Sequence, residues 1–378
     1  MGPIRRPKDC HWSQLVGQRG QIAGVPRTAS SANTGESVAV WQSGRSIEQN
    51  WTALEEMQRQ LRYSSYLVRA FPTNQSYQQR FSVQLAGNSI WIYGILKELH
   101  EDGIRYVAFR LVFDFPYRRD RHDEPESDYE AFFQAFGKEI EKFKYSPEGK
   151  GFHGARMIWT TVRALSNRSI AENMKHCIAM KQKFPELVAG YDVKKCVEGG
   201  VDIPFLFPAG DWAGDGDETD HNLYDAILLG TRRIGHGLTL HKHPPLIDLL
   251  KEKKILIECC PISNEVLRLT SSIMAHPLPA LLARGVPVAF CNDDPTLLRY
   301  GKSGLTHDFC QVLNGLENVG LVGLATMAEN SIRWSCFEDQ SSSEWLRDIR
   351  SGLTGTGVKA ARLKDWHMEF ERFCQRVI

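Results

Sequence analysis

Seven short apolar stretches govern what this chain can fold into: Tyr106 to Phe115, Ala155 to Val162, Leu187 to Val193, Ile203 to Phe207, Arg233 to Leu240, Lys254 to Cys260 and Val286 to Cys291. Longer segments separate most of them, with apolar residues at helical spacing. A strand that is apolar throughout needs cover on both faces, and parallel sheets obtain it from their crossover helices. The alternation therefore predicts an α/β architecture, and this many units favour a (β/α)8 barrel. Seven strands are visible where eight close a barrel, so the expected barrel is incomplete and lacks its first strand. A chain of 378 residues with 42% hydrophobic content is long enough to bury one such domain.

One connection is anomalous. Only Lys194 to Asp202 lie between the third and fourth apolar stretches, whereas a parallel crossover uses a dozen or more residues. Either Leu187 to Val193 is not a barrel strand, or the fourth crossover helix of an ordinary barrel is missing. Upstream, residues 1–45 are rich in Ser, Gly, Gln and Thr without periodicity and read as a disordered arm. The domain then runs over 46–378. It opens on a helix from Ser46 to Phe71, with Ser46 as N-cap and Trp51, Leu54, Met57, Leu61, Leu67 and Val68 along its apolar side.

Charge and cysteine usage narrow the function classes. A net charge of +1 creates no field to gather nucleic acid or an acidic membrane, and a small neutral ligand fits this balance better. The nine cysteines are an odd set without a C-x-x-C pair, so neither a zinc ribbon nor a disulfide framework is expected. A reducing compartment, the cytoplasm, is the simpler expectation, since the basic start (Arg5, Arg6, Lys8) precedes no apolar stretch of the signal-peptide kind. Sequons at Asn50, Asn74 and Asn167 leave secretion as the alternative.

Parallel barrels carry their chemistry at the carboxyl ends of the strands. Polar residues stand there at Asp192, at Asp211 after Pro208-Ala209-Gly210, at His236 between two glycines, and at Asp293-Asp294 before Pro295. Carboxylates and an imidazole around one pocket suit metal-assisted hydrolysis, in which a cation acidifies bound water and a neighbouring side chain moves protons. The acidic run Asp215, Asp217, Glu218, Asp220 lacks calcium-loop spacing and precedes a helix, where acids favour the positive end of the dipole.

These residues sit in recognisable strings. Thr231-Arg232-Arg233-Ile234-Gly235-His236-Gly237, then Glu258-Cys259-Cys260-Pro261-Ile262-Ser263-Asn264, then His276-Pro277 and Asn292-Asp293-Asp294-Pro295 resemble the later strands of the adenosine deaminase barrel. Asp220, Asn222, Leu223, Asp225 and Ala226, together with Met327 to Ser331, make the chain similar to the growth-factor-related, type-two group of that family. The likeness runs from about Asp102 to the end. It implies a zinc-dependent hydrolase of purine nucleosides that converts adenosine and water to inosine and ammonia, often as a homodimer.

Carried over residue by residue, the resemblance makes Asp293 a zinc ligand, sets His236 beside the attacking water, and brings Asp294 to purine N7 and Gly190 to purine N3. The sequence departs from the pattern at three places. The family's fifth-strand His-Ala-Gly-Glu is here Pro208-Ala209-Gly210-Asp211, which leaves Asp211 in the place of the proton-exchanging glutamate and no imidazole at Pro208. No His-x-His pair precedes the second-strand stretch. The pair His241-Lys242-His243 follows the sixth strand, where a solvent-facing loop is expected. The sequence therefore predicts an adenosine deaminase-like protein with impaired or lost activity, or else a purine-nucleoside binder without catalysis or a truncated gene product.

Overall fold

The computed structural model describes residues 16–17, 21–22, 89–114, 117, 124–161, 166–192, 203–210, 221–293 and 304–377. Apart from a short pairing of Val16–Gly17 with Gln21–Ile22, the arm expected over 1–45 lies outside the described residues, as does the helix expected from Ser46 to Phe71. All seven apolar stretches form strands: β1 (Tyr106–Val112), β2 (Gly154–Thr160), β3 (Val188–Asp192), β4 (Leu206–Ala209), β5 (Arg233–His236), β6 (Leu256–Cys259) and β7 (Val288–Phe290). The first of these occupies the place that the resemblance gives to a barrel's second strand. β5 is shorter than the apolar run that announced it, because Gly237 turns left-handed at φ 60° and a 3-10 turn, Leu238–Lys242, follows.

Helices alternate with the strands: α1 (Ser89–Glu101) precedes β1, α2 (Glu130–Lys144) and α3 (Asn167–Lys183) follow β1 and β2, and α4 (His221–Leu228) follows β4. Then come α5 (Pro244–Lys253), α6 (Pro261–Val266) and α7 (Leu278–Ala283), and after β7 the four helices α8 (Gly304–Gly315), α9 (Gly320–Arg333), α10 (Ser342–Ser351) and α11 (Val358–Val377). Side-chain spacing explains which face each buries. In α2, Phe132, Phe133, Phe136, Ile140 and Phe143 recur every three or four residues and are all buried. α10 starts on a reciprocal cap, with Ser341 accepting from the Glu344 N–H while the Glu344 carboxylate reaches back to the Ser341 N–H.

The strands pair in parallel in the orders β1-β2-β3 and β4-β5-β6-β7. A parallel bridge between Tyr191 and Phe205 joins the two groups, and the Tyr191 N–H donates to the Pro204 carbonyl at 2.9 Å. Leu187 to Val193 thus supplies a true strand of the array, β3, which removes the alternative that it lies outside the barrel; the crossover residues 193–202 are outside the described residues. Among the described residues, β1 and β7 each have one strand neighbour, so the fold is an incomplete (β/α)8 barrel of seven parallel strands.

The interior is apolar at one level and charged at the next. Ile158, Ala189, Leu206, Leu256 and Ala289, from five different strands, meet Trp334, Cys336, Trp345 and Ile349, which close the floor. Across the lumen Arg110 of β1 reaches both Asp192 of β3, at 3.3 Å, and Glu258 of β6, at 2.7 Å, while Arg233 of β5 takes the other Glu258 oxygen at 2.7 Å. Burial alone would raise the Glu258 carboxyl, but the two guanidiniums outweigh it and hold the group down at about 2. The floor segment is fastened by hydrogen bonds: Tyr106 donates to the Cys336 carbonyl at 2.6 Å, Arg156 to the same carbonyl at 2.9 Å, and Arg233 to the Trp334 carbonyl at 3.1 Å.

Removing one member of a buried ion pair leaves its partner charged in a poor solvent. Arg110→Met is therefore expected to cost about 3–5 kcal/mol, measured by urea unfolding, because it removes the cation shared by Asp192 and Glu258 and leaves Glu258 with Arg233 alone. A loss below about 1 kcal/mol, the range of an exposed pair, would mean that the carboxylates are solvated and the network is not a strut.

Candidate functional site

The carboxyl ends of β5, β6 and β7 converge. His236 ends β5, Cys260 follows β6 and Asp293 follows β7, and their nitrogen, sulfur and oxygen atoms all lie within 4.8 Å of one another. Both His236 and Asp293 sit in the left-handed backbone region, at φ 64° and 59°. A residue with a Cβ adopts that region at an energetic cost, and such residues gather where a side chain must be aimed. Here the kink lets each strand end with its last side chain turned toward its neighbour's.

α6 begins immediately after β6, with Pro261 at its first position, and supplies the supporting groups. Ser263 donates its hydroxyl to Asp293 Oδ2 at 2.6 Å, and the same oxygen lies 4.0 Å from His236 Nε2. The Asn264 side chain, with no exposed surface, lies 3.2 Å from His236 Nδ1 on one side and 2.9 Å from His276 Nε2 on the other. His276 is buried, which pushes its imidazole down to about 4 and keeps it neutral at physiological pH. Beneath Asp293, the buried Asp308 of α8 accepts from the Ile262 N–H and from the Asn292 amide, both at 3.1 Å.

The structure brings His236 and Asp293 together as expected, while Asp211 and Asp294 lie outside the described residues. Gly190 is placed in the middle of β3, where a Cβ would stand 2.5 Å from the Pro204 carbonyl and 2.8 Å from Leu206. Close approach of the next strand accounts for a glycine there. Asp192 is buried at the end of β3 and engaged with Arg110. His241 and His243 fall in and just after the turn Leu238–Lys242, with His241 exposed, as the loop reading expected. Sequence reasoning assigned no role to Cys260, Ser263, Asn264, His276 or Asp308. Four of these stand in the strings that carry the resemblance, but only the fold shows which of their atoms meet.

The zinc ligand set that the resemblance implies is not complete among the described residues, although His236, Cys260 and Asp293 offer three donor atoms of metal-binding type within 4.8 Å of one another. Pro208 lies in β4, in register with Gly235, and has no lone pair to offer where an imidazole would ligate. Of the four expected ligands Asp293 alone is present, and zinc needs three or four.

Comparison with known proteins places this geometry in a lineage. The adenosine deaminase family pattern matches residues 213–351, from just before α4 through α10. The chain is 31% identical to adenosine deaminase 2 of Homo sapiens over 278 residues, which is 68% of this chain and 52% of that protein. The chain belongs to the adenosine deaminase family. It spans about half the length of the curated relatives it matches. Among solved structures, the Arabidopsis ADAL protein complexed with IMP aligns with a TM-score of 0.50 at 17% identity, covering 70% of this chain and 78% of that one. An amidohydrolase from Burkhoderia ambifaria with bound zinc aligns with a TM-score of 0.51 at 17% identity, covering 74% of this chain and 75% of that one. These likenesses establish the deaminase barrel as the fold.

Asp308 makes the site sensitive to pH through stability. Burial raises its carboxyl from an ordinary 3.8 to about 7, so the folded state favours the neutral acid. That contribution is fully present below about pH 4 and is lost as pH rises through about 7. Asp308→Asn keeps the neutral shape. It is expected to match the wild type near pH 4 and to exceed it at pH 8 by on the order of 2 kcal/mol, read as the difference between the two chemical denaturation curves.

Proposed function

We propose that this chain binds a purine nucleoside at the carboxyl ends of β4 to β7, and that hydrolytic deamination of adenosine to inosine and ammonia is lost or strongly impaired in it. The observation that carries the second half is Pro208. It occupies the strand position from which the family's imidazole would hold a hydrolytic metal, and it can neither ligate nor donate. The first half is supported by family membership and by the purine nucleotide, IMP, named with one fold neighbour. Within the site, His236 and Asp293 offer polar atoms 4.0 Å apart at the mouth of the β5 to β7 ends. Asp294 is read as the contact to purine N7, and Asp211 as a shortened substitute for the family's glutamate.

A second reading is supported by the same pair: a residual deaminase in which His236 assists water while Asp211 exchanges a proton with the purine ring. The two readings separate cleanly. With the full chain and added zinc, the absorbance assay of adenosine conversion is expected to show no turnover, while calorimetric titration shows saturable binding of adenosine or inosine. Robust zinc-dependent turnover would establish the residual enzyme, and absence of any nucleoside binding would remove both. Asp294→Ala is expected to weaken nucleoside affinity by about ten- to a hundredfold, the range for a hydrogen bond to a charged group. An unchanged titration curve would exclude Asp294 from the contact.

A further inference from the structure

Cys260 has a neighbour of its own kind. Successive side chains of a strand point to opposite faces, and the last residues of β6 and β7 show which face is which. Glu258 meets Arg110 in the lumen, and its register partner Ala289 joins the apolar floor. One step on, Cys259 and its partner Phe290 are packed in the outer core with the residues of the covering helices. The ladder then continues past both strands, because the Cys291 N–H donates to the Cys259 carbonyl at 2.9 Å. Cys260 and Cys291 are therefore the next pair, turned back toward the lumen, with backbones about 5 Å apart. Their side chains are hydrogen-bonded to each other, and this contact, together with burial, raises the Cys260 thiol well above its ordinary range.

We propose that Cys260 and Cys291 form a two-thiolate clamp for a soft divalent cation of the zinc class, completed by His236 and Asp293. The sulfur of Cys260, a nitrogen of His236 and an oxygen of Asp293 already lie within 4.8 Å of one another. Four donors on a tetrahedron of zinc dimensions stand about 3.3–3.8 Å apart, so closure needs a movement of about 1 Å. Two sulfurs beside a nitrogen and an oxygen select zinc or cadmium over magnesium or calcium. Binding releases the two thiol protons to solvent, and a divalent ion then balances two of the three negative charges on the thiolates and the carboxylate, where a monovalent ion balances one. Groups that orient ligands stand behind the set: the Ser263 hydroxyl donates to Asp293 at 2.6 Å, and the Asn264 side chain lies 3.2 Å from His236 Nδ1. Only Asp293 is shared with the ligands that the resemblance implies, and nothing is drawn from β4, so the clamp does not depend on an imidazole at position 208. It goes beyond the nucleoside reading and stands whether or not a nucleoside binds.

Cadmium alone serves as the probe, added to the full reduced chain without nucleoside. An ultraviolet sulfur-to-metal charge-transfer band is expected to saturate at one ion per chain, and zinc to remove it by competition. Cys260→Ser and Cys291→Ser are each expected to cut the band to about half, one thiolate's share. Each is also expected to weaken cadmium binding by more than the roughly ten- to hundredfold that loss of a supporting contact costs. Cys374→Ser, which alters a half-buried thiol on α11, is expected to leave both readouts unchanged. Absence of a saturable band would overturn the clamp, as would a band that keeps its full strength in either Cys260→Ser or Cys291→Ser. Should a variant fail to fold, the cadmium nuclear resonance shift of the wild type decides: two sulfurs support the clamp, and fewer than two remove it. Nucleoside binding without the band would sink this inference and leave the nucleoside reading standing.

Discussion

The contact of Arg110 with Asp192 and Glu258 holds the seven strands in one array. Between β3 and β4 the described backbone offers a single bridge, Tyr191 to Phe205, where every other neighbouring pair shares a ladder. Arg110 spans that weak seam from the far side, tying β1 to β3 and to β6 through the lumen. Arg233 completes the exchange by neutralising the second oxygen of Glu258. Two cations and two carboxylates in one low-dielectric space are tolerable only together, because each supplies the solvation that burial removed from its neighbour.

Much of the scaffold was legible in the sequence, because a buried parallel strand leaves a compact and unambiguous trace. All seven apolar stretches became strands, and the suspicious one, Leu187 to Val193, proved to be β3. Its ends were less legible. Pro208 extends β4 beyond the apolar run at Ile203 to Phe207, since a parallel neighbour pairs it through groups other than the missing N–H, and Gly237 cuts β5 short. Hydropathy registers burial; it does not register where a left-handed turn redirects the chain.

The site divides along the same line. His236 was visible as a polar residue within a strand-like run and Asp293 as one just after another, and the structure brings them together. Asn264 and His276 were visible only as letters of a recognisable string. Their contacts, Asn264 with the rings of His236 and His276, depend on atom positions that no sequence spacing encodes. Gly190 shows the opposite case, a residue singled out for a ligand whose lack of a side chain is accounted for by the strand packed against it. Family membership and the proline at position 208 are thus separate facts: one concerns descent of the barrel, the other the side chain that β4 offers near its end.

The floor of the barrel also governs the order in which the molecule can be completed. Tyr106 and Arg156, at the starts of β1 and β2, donate to the carbonyl of Cys336, across separations of 230 and 180 residues. Closing so long a loop is an entropic barrier that no local helix can offset. During synthesis these first strands must therefore wait, with these donors satisfied by water, until Cys336 has left the ribosome. The segment that finishes the barrel is made 230 and 180 residues after Tyr106 and Arg156, so the strands it closes stay exposed for that stretch of translation.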